Sequence, residues 1–134
     1  FYTRNRHDWT AKFADLAEAL ADLDATNAWI DGEVVVFRPD GRTGFGELQR
    51  ALDRKGPRDL VFVAFDLAFH DGEDLRDRPL VERRERLRAL LETAGHPRLR
   101  FSDAIAADAE EVMRLACRWG LEGLIAKRLD AAYE

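Results

Sequence analysis

Four carboxylates stand in stretches that are otherwise built for burial: Asp31 and Glu33 within residues 28–37, Asp66 within 60–69, and Glu122 at the start of 121–128. A carboxylate taken out of water is costly unless it binds a metal, pairs with a cation or accepts hydrogen bonds, so a buried Glu33 needs a partner. For Glu33 two readings stand side by side: a buried, partnered acid, or a strand-end acid facing water.

The elements that hold these acids follow from local patterning. Val34, Val35, Val36 and Phe37 are β-branched or aromatic, and Arg38-Pro39-Asp40-Gly41 closes the run with turn-forming residues, which predicts a strand over 28–37. Alternation along that strand sends Asp31, Glu33, Val35 and Phe37 to one face and Ile30, Gly32, Val34 and Val36 to the other. Residues 60–69 are apolar on both faces apart from Asp66, as in a strand covered on two sides, and His70-Asp71-Gly72-Glu73 makes a turn. Residues 121–127 read as a third strand with an acid near its start, and residues 99–101 as a short one.

Helices fill the intervals. Phe13, Leu16, Leu20 and Leu23 repeat at helical spacing after Thr10, predicting a helix over 11–23 that covers a sheet. A short helix follows Thr43-Gly44-Phe45 and ends at Gly56-Pro57. A long helix follows Asp77, with Pro79 in its first turn, Leu80, Leu87, Leu90 and Leu91 inward and Gly95 near its end; its Arg83, Arg84, Arg86 and Arg88 read as a solvated face interleaved with Glu82 and Glu85. Asp108 and Glu111 have capping-box spacing ahead of a last helix that Gly120 closes.

Composition narrows the function classes. The 134 residues, 46% hydrophobic and 35% charged, suffice for one core and not for two ordinary domains. No apolar run approaches the ~20 residues that span a bilayer, and residues 1–6 lack the hydrophobic stretch of a signal peptide, so a soluble, intracellular protein with no membrane partner is expected. The single cysteine, Cys117, excludes an internal disulfide framework and a cysteine-based zinc site and reads as a core thiol. The net charge of −5 argues against a surface that is basic throughout. Lys12, Lys55 and Lys127 are the only lysines, so arginine makes up the rest of the 21 basic residues. Arginine suits phosphate contacts, and GC-rich coding produces the same bias.

Taken together, Asp31-Gly32-Glu33, Phe65-Asp66 and Glu122-Gly123-Leu124-Ile125-Ala126-Lys127 resemble motifs III, IIIa and IV of the covalent nucleotidyltransferases, and within them the ATP-dependent DNA ligases. Thr3-Arg4-Asn5 resembles the arginine-bearing motif Ia, and residues 4–10 are most similar to the ligase part of bacterial ligase D, the end-joining ligases. Each motif is short, but four in this order and at these separations form a specific set covering nearly the whole chain.

The resemblance implies an α+β fold: antiparallel sheet flanked by helices, the central part of the DNA ligase/mRNA capping enzyme nucleotidyltransferase (ATP-grasp-like) fold. It implies that Arg4, Glu33, Phe65 and Lys127 bind the nucleotide. Arg4 would meet a phosphate, Glu33 would lie by the ribose and metal, Phe65 would stack on adenine, and Lys127 would neutralise phosphate charge. Glu122, with Glu33, would serve a divalent metal, Mg²⁺ or Mn²⁺; Mg²⁺ takes one or two protein carboxylates and completes its shell with water and phosphate oxygens. For Phe65 plain core packing stands as the alternative, and for Arg4 a surface arginine. Strict alternation would put Glu122 and Lys127 on opposite faces, so a bulge or a strand end before Lys127 is required.

The implied reaction is ATP-dependent sealing of nicked or broken double-stranded DNA through lysyl-AMP and DNA-adenylate, in bacterial non-homologous end joining, with end-joining proteins such as Ku as partners and a cytoplasmic, nucleoid-associated location. The alternatives are an RNA ligase or capping-type nucleotidyltransferase, and a non-catalytic nucleotide- or DNA-binding module; a two-carboxylate hydrolase leaves the other motifs unexplained. One departure weighs against catalysis by the chain alone: the family's nucleophile is the lysine of Lys-x-Asp-Gly, and no such motif occurs. Residues 1–134 are therefore expected to form a single, partial adenylation domain, lacking motif I and motif V and inactive by itself.

Overall fold

A computed structural model of the chain describes residues 1–54, 58–105, 107–121 and 124–134. At its centre β1 (Ala28–Val36) lies antiparallel to β2 (Leu60–His70) along its whole length. The chain then turns through Asp71 and Gly72, at φ 46° and 86°, into β3 (Glu73–Asp74), which returns against Phe69 and His70. Two successive positive φ angles mark the hairpin turn whose twist suits flanking strands. β4 (Leu99–Phe101) joins β2 in parallel beside residues 62–64. The sheet is antiparallel apart from that last pair, and with its helices it is the expected α+β arrangement.

One sheet face carries the core. The segment expected as a helix over 11–23 is a 3₁₀ turn (Thr10–Phe13) running into α1 (Ala14–Ala21). Phe13, Leu16 and Ala19 meet Leu60, Phe62, Ala64 and Leu67 of β2 and Leu99 of β4, with Ile30, Val34 and Val36 of β1 packed against them. α2 (Phe45–Asp53) lays Leu48, Ala51 and Leu52 against this core, and α3 (Leu80–Ala94) adds Leu87 and Leu91. Leu16, Leu60, Leu67 and Leu87 are fully buried, each contributing roughly 1.5–3 kcal/mol from transfer alone.

The helix ends obey local rules. Asp108 caps α4 (Ala109–Trp119) by accepting from the amides of Glu110 and Glu111 at 2.9 and 3.3 Å, and Gly95 and Gly120 end α3 and α4 at φ 58° and 65°, a region that costs glycine little. α3 has no side-chain cap at Pro79. Its first amides, of Leu80 and Val81, donate instead to the carbonyls of Ala131 and Leu129, each at 2.9 Å.

Three expectations are corrected, the first being the core thiol: Cys117, in α4, is exposed rather than buried. Residue 121 and residues 124–127 form no strand, because no strand among the described residues offers them a ladder for their backbone groups; residues 129–133 run along the start of α3 instead. The arginines of α3 are not one solvated face either: Arg83 is 2% exposed. The proposed stop of α2 at Gly56-Pro57 lies outside the described residues. No helix among those described is long and apolar enough to cross a membrane.

Candidate functional site

Along β1, Ile30, Val34 and Val36 pack on the core and Glu33 on the other face is exposed, although Val35 on that same face is buried, at 8% exposure. For Glu33 this decides in favour of an acid facing water, available to a ligand rather than consumed by the fold. Gly32 separates Asp31 from Glu33 for a packing reason. A Cβ there would stand 2.5 Å from Cζ of Phe62 and 2.7 Å from the Val63 carbonyl oxygen, so the Phe62 ring fills the space a side chain would need.

β2 contains two extra residues relative to β1. The register passes from Gly32 opposite Ala64 to Asp31 opposite Asp66, and from Ile30 opposite Leu67 to Trp29 opposite Phe69. Phe65 and Ala68 are thus bulged, and a bulge re-aims the side chain it carries. Phe65 is half-buried; its carbonyl accepts from Arg84 Nη1 at 2.8 Å, and the Nζ of Lys127 lies 4.7 Å from its ring centroid. A cation at that distance from an aromatic face is attracted by the ring quadrupole. Because residues 124–127 are not a strand, alternation places no constraint on Lys127, and the bulge or strand end that a strand there would have required does not arise.

The bulge also brings Asp31 and Asp66 directly opposite each other. Like charges so placed repel unless each is compensated. Asp66, 3% exposed, accepts from Arg83 Nε at 2.8 Å and Nη2 at 2.9 Å and from the Leu67 amide at 2.8 Å. Arg83 also donates to the carbonyls of Arg78, at 2.5 Å, and Ala131, at 3.1 Å. Asp31 accepts from the Tyr133 hydroxyl at 2.5 Å. Burial first, and that bond second, push the Tyr133 phenol up to about 12, which keeps it a donor across the physiological range.

Sequence reasoning noted Asp66 only as the polar exception in an apolar strand, and missed its partner Arg83 as well as Tyr133. A signal for Arg83 was present: residues 80, 83, 87 and 90 recur on one helical stripe, and Leu80, Leu87 and Leu90 are buried beside it. Nothing local marks Tyr133, which lies 102 residues from Asp31.

Arg4 is exposed at the tip of a turn in which the Arg6 amide donates to Thr3 at 2.8 Å and the Thr3 amide to His7 at 2.9 Å. The Phe1 ring ties this turn to the core, 5.3 Å from Phe13 and 5.7 Å from Phe62 edge to face, and Phe62 is the ring that covers Gly32. The fold brings Phe65 and Lys127 together, and among the described residues no hydrogen bond or ion pair joins Arg4 to Glu33 or Lys127. Glu122 lies outside the described residues, and among those described no group of three or more His, Cys, Asp or Glu side chains is arranged to hold a metal.

Comparison with known proteins bears on the family and fold of the whole chain. A family model described as the ATP dependent DNA ligase domain matches residues 1–134. The chain is 48% identical over 131 residues to the multifunctional non-homologous end joining protein LigD of Pseudomonas aeruginosa, covering 98% of this chain and 16% of that protein. It is 34% identical over 139 residues to a DNA ligase of Methanoculleus marisnigri, covering 98% of this chain and 25% of the ligase. The ligase domain of M. tuberculosis LigD has the same fold, with a TM-score of 0.80 at 31% identity over 99% of this chain and 42% of that one. A mycobacterial DNA ligase D complexed with ATP and MES gives 0.79 at 31% identity with the same coverage. The chain therefore spans well under two thirds of each.

Proposed function

We propose, from the premise that this chain belongs to the ATP dependent DNA ligase domain family, that it is the central part of the adenylation domain of an ATP-dependent DNA ligase sealing nicked or broken double-stranded DNA in bacterial end joining. The observation that carries this reading is the pairing of Phe65 with Lys127, 4.7 Å apart, beside a strand that presents Glu33 to solvent. A half-buried aromatic ring at a bulge offers a face to adenine. An ammonium group next to it meets the negative charge of a phosphate, and the water-facing carboxylate of Glu33 suits a ribose hydroxyl or a mostly hydrated Mg²⁺ or Mn²⁺. Glu122 would share that metal, which would offset charge on the reacting phosphate. Arg4, on its exposed turn, would contact a phosphate of nucleotide or DNA, positioning without reading sequence.

The reaction of the longer protein would begin with attack of a lysine amine on the α-phosphorus of ATP, with pyrophosphate leaving and a phosphoramidate forming. AMP then passes to a DNA 5′-phosphate, and the 3′-hydroxyl displaces it to close the strand. ATP is the cosubstrate, the partners are DNA ends and end-joining proteins such as Ku, and the location is the bacterial cytoplasm at the nucleoid.

The test is adenylylation with labelled ATP in a longer polypeptide that carries this segment together with a Lys-x-Asp-Gly lysine, across a Mg²⁺ or Mn²⁺ titration. Phe65→Leu keeps most of the apolar volume and removes the aromatic face; weaker ATP binding at nearly unchanged melting temperature is expected. A large loss of stability with normal ATP affinity would assign Phe65 to the core. ATP binding without any covalent product in the wild-type polypeptide would favour a binding module over a ligase.

A further inference from the structure

We infer that Tyr133 and Arg83 form a two-point latch that fastens residues 128–133 to the opposed acids Asp31 and Asp66 and thereby holds Lys127 over Phe65, so that both are positioning residues for the nucleotide site. This inference rests on the nucleotide reading of Phe65 and Lys127. The first point is the Tyr133 hydroxyl on Asp31 Oδ2 at 2.5 Å. The second is Arg83, which grips Asp66 with two nitrogens and gives a third to the Ala131 carbonyl at 3.1 Å.

Backbone bonds complete the attachment. The Tyr133 amide donates to the Arg76 carbonyl at 2.7 Å, and the first amides of α3 donate to Leu129 and Ala131 at 2.9 Å. These are the orphan donors of a helix start without a side-chain cap, so the segment satisfies groups that would otherwise need water. The outer part of the same segment is loosely held: Ile125 is 85% exposed and Leu129 57%. Hydrophobic packing does not place Lys127 here; polar anchors further along the chain do. Since both anchors end on residues adjacent to the site, Asp31 next to Gly32-Glu33 and Asp66 next to Phe65, closing the latch registers the lysine against both strands at once. Positioning of this kind acts on rate, because a reacting array loses efficiency steeply when one member shifts by about 1 Å.

Tyr133→Phe removes one hydroxyl and little else, and Asp31→Asn keeps an acceptor for it. In the 134-residue chain, two NMR readouts report the latch: the ring-current shift that Phe65 imposes on the Lys127 ε-methylene, and hydrogen exchange at the amides of Leu80, Val81 and Tyr133. Tyr133→Phe is expected to halve the shift, roughly, and to speed exchange about tenfold, whereas Asp31→Asn stays within about threefold of wild type. In the longer polypeptide proposed above, Tyr133→Phe is expected to lower kcat for adenylylation about tenfold with KM for ATP changed less than about threefold.

A Tyr133→Phe chain with wild-type shift and exchange overturns the latch. A loosened segment with unchanged adenylylation overturns the positioning role. A wild-type polypeptide that takes up no AMP overturns the proposed function and the positioning role with it, and the exchange data then separate that failure from failure of the latch itself.

Discussion

Asp31 and Asp66 face each other across β1 and β2, and each is held by a different partner: Tyr133 donates to the first, and Arg83 forms a two-nitrogen ion pair with the second. The acids stand there because Phe65 is bulged out of the β2 register, and the two partners come from elements that the strand pair does not itself contain.

Removing one side of the buried pair is expected to be severe. Arg83→Met leaves Asp66 uncompensated at 3% exposure, and a loss of about 3–5 kcal/mol is expected by urea denaturation. Arg83→Met combined with Asp66→Leu should cost clearly less than the single arginine change. A double variant as unstable as the sum of the two single ones would mean that the pair is not coupled.

Gly32→Ala is expected to destabilise the chain by roughly 1–3 kcal/mol. The new methyl would meet both the Phe62 ring and the Val63 carbonyl. Shrinking the ring with Phe62→Leu therefore relieves only part of the strain, because the backbone oxygen stays. Full recovery of the melting temperature in the double variant would show that the carbonyl contact does not matter.

Glu33→Ala should separate fold from function. Glu33 is exposed, so its stability change is expected within about 0.5 kcal/mol. Lysyl-AMP formation in the longer polypeptide should fall, and the metal titration should shift to higher concentration. Unchanged rates and metal dependence would remove Glu33 from the site.

The alkaline limb of stability should belong in part to Tyr133. Its phenol is raised from 10.0 to about 12, so the folded state favours the protonated form. That contribution is complete below pH 10 and is lost as pH rises from 10 through 12. The melting-temperature gap between wild type and Tyr133→Phe should therefore narrow over that interval in a thermal series from pH 8 to 12. A constant gap would show that the hydroxyl titrates as it does in the unfolded chain.

None of the chain's own lysines is expected to take up AMP covalently. A phosphoramidate needs an amine held in line with the α-phosphate, worth roughly 7–11 kcal/mol of barrier when fully realised. The Nζ of Lys12 rests 3.9 Å from the Trp9 ring and that of Lys127 lies over Phe65, while Lys55 belongs to none of the four motifs. Incubation with α-labelled ATP and Mg²⁺ followed by a denaturing gel checks this; a stoichiometric, acid-labile adduct on any of the three would relocate the catalytic centre.

What the sequence by itself determined are the features that short-range physics controls. Alternation along residues 28–37 put Glu33 on the face opposite Ile30, Val34 and Val36, the apolar run at 60–69 located the central strand, and helical periodicity with Asp108, Gly95 and Gly120 located the helices and several of their ends, while that Glu33 faces water was left to the structure. The order of Arg4, Glu33, Phe65, Glu122 and Lys127 among their motifs carried the family. The tertiary structure alone decided which partner each of the two opposed acids takes. Asp66 meets an arginine 17 residues away and Asp31 a tyrosine 102 residues away, and no local pattern encodes those distances. It also decided the bulge at Phe65 and the absence of a strand over 124–127. Strand pairing and ion pairing both depend on which groups other elements deliver, and periodicity says which face a side chain occupies but not what waits opposite it.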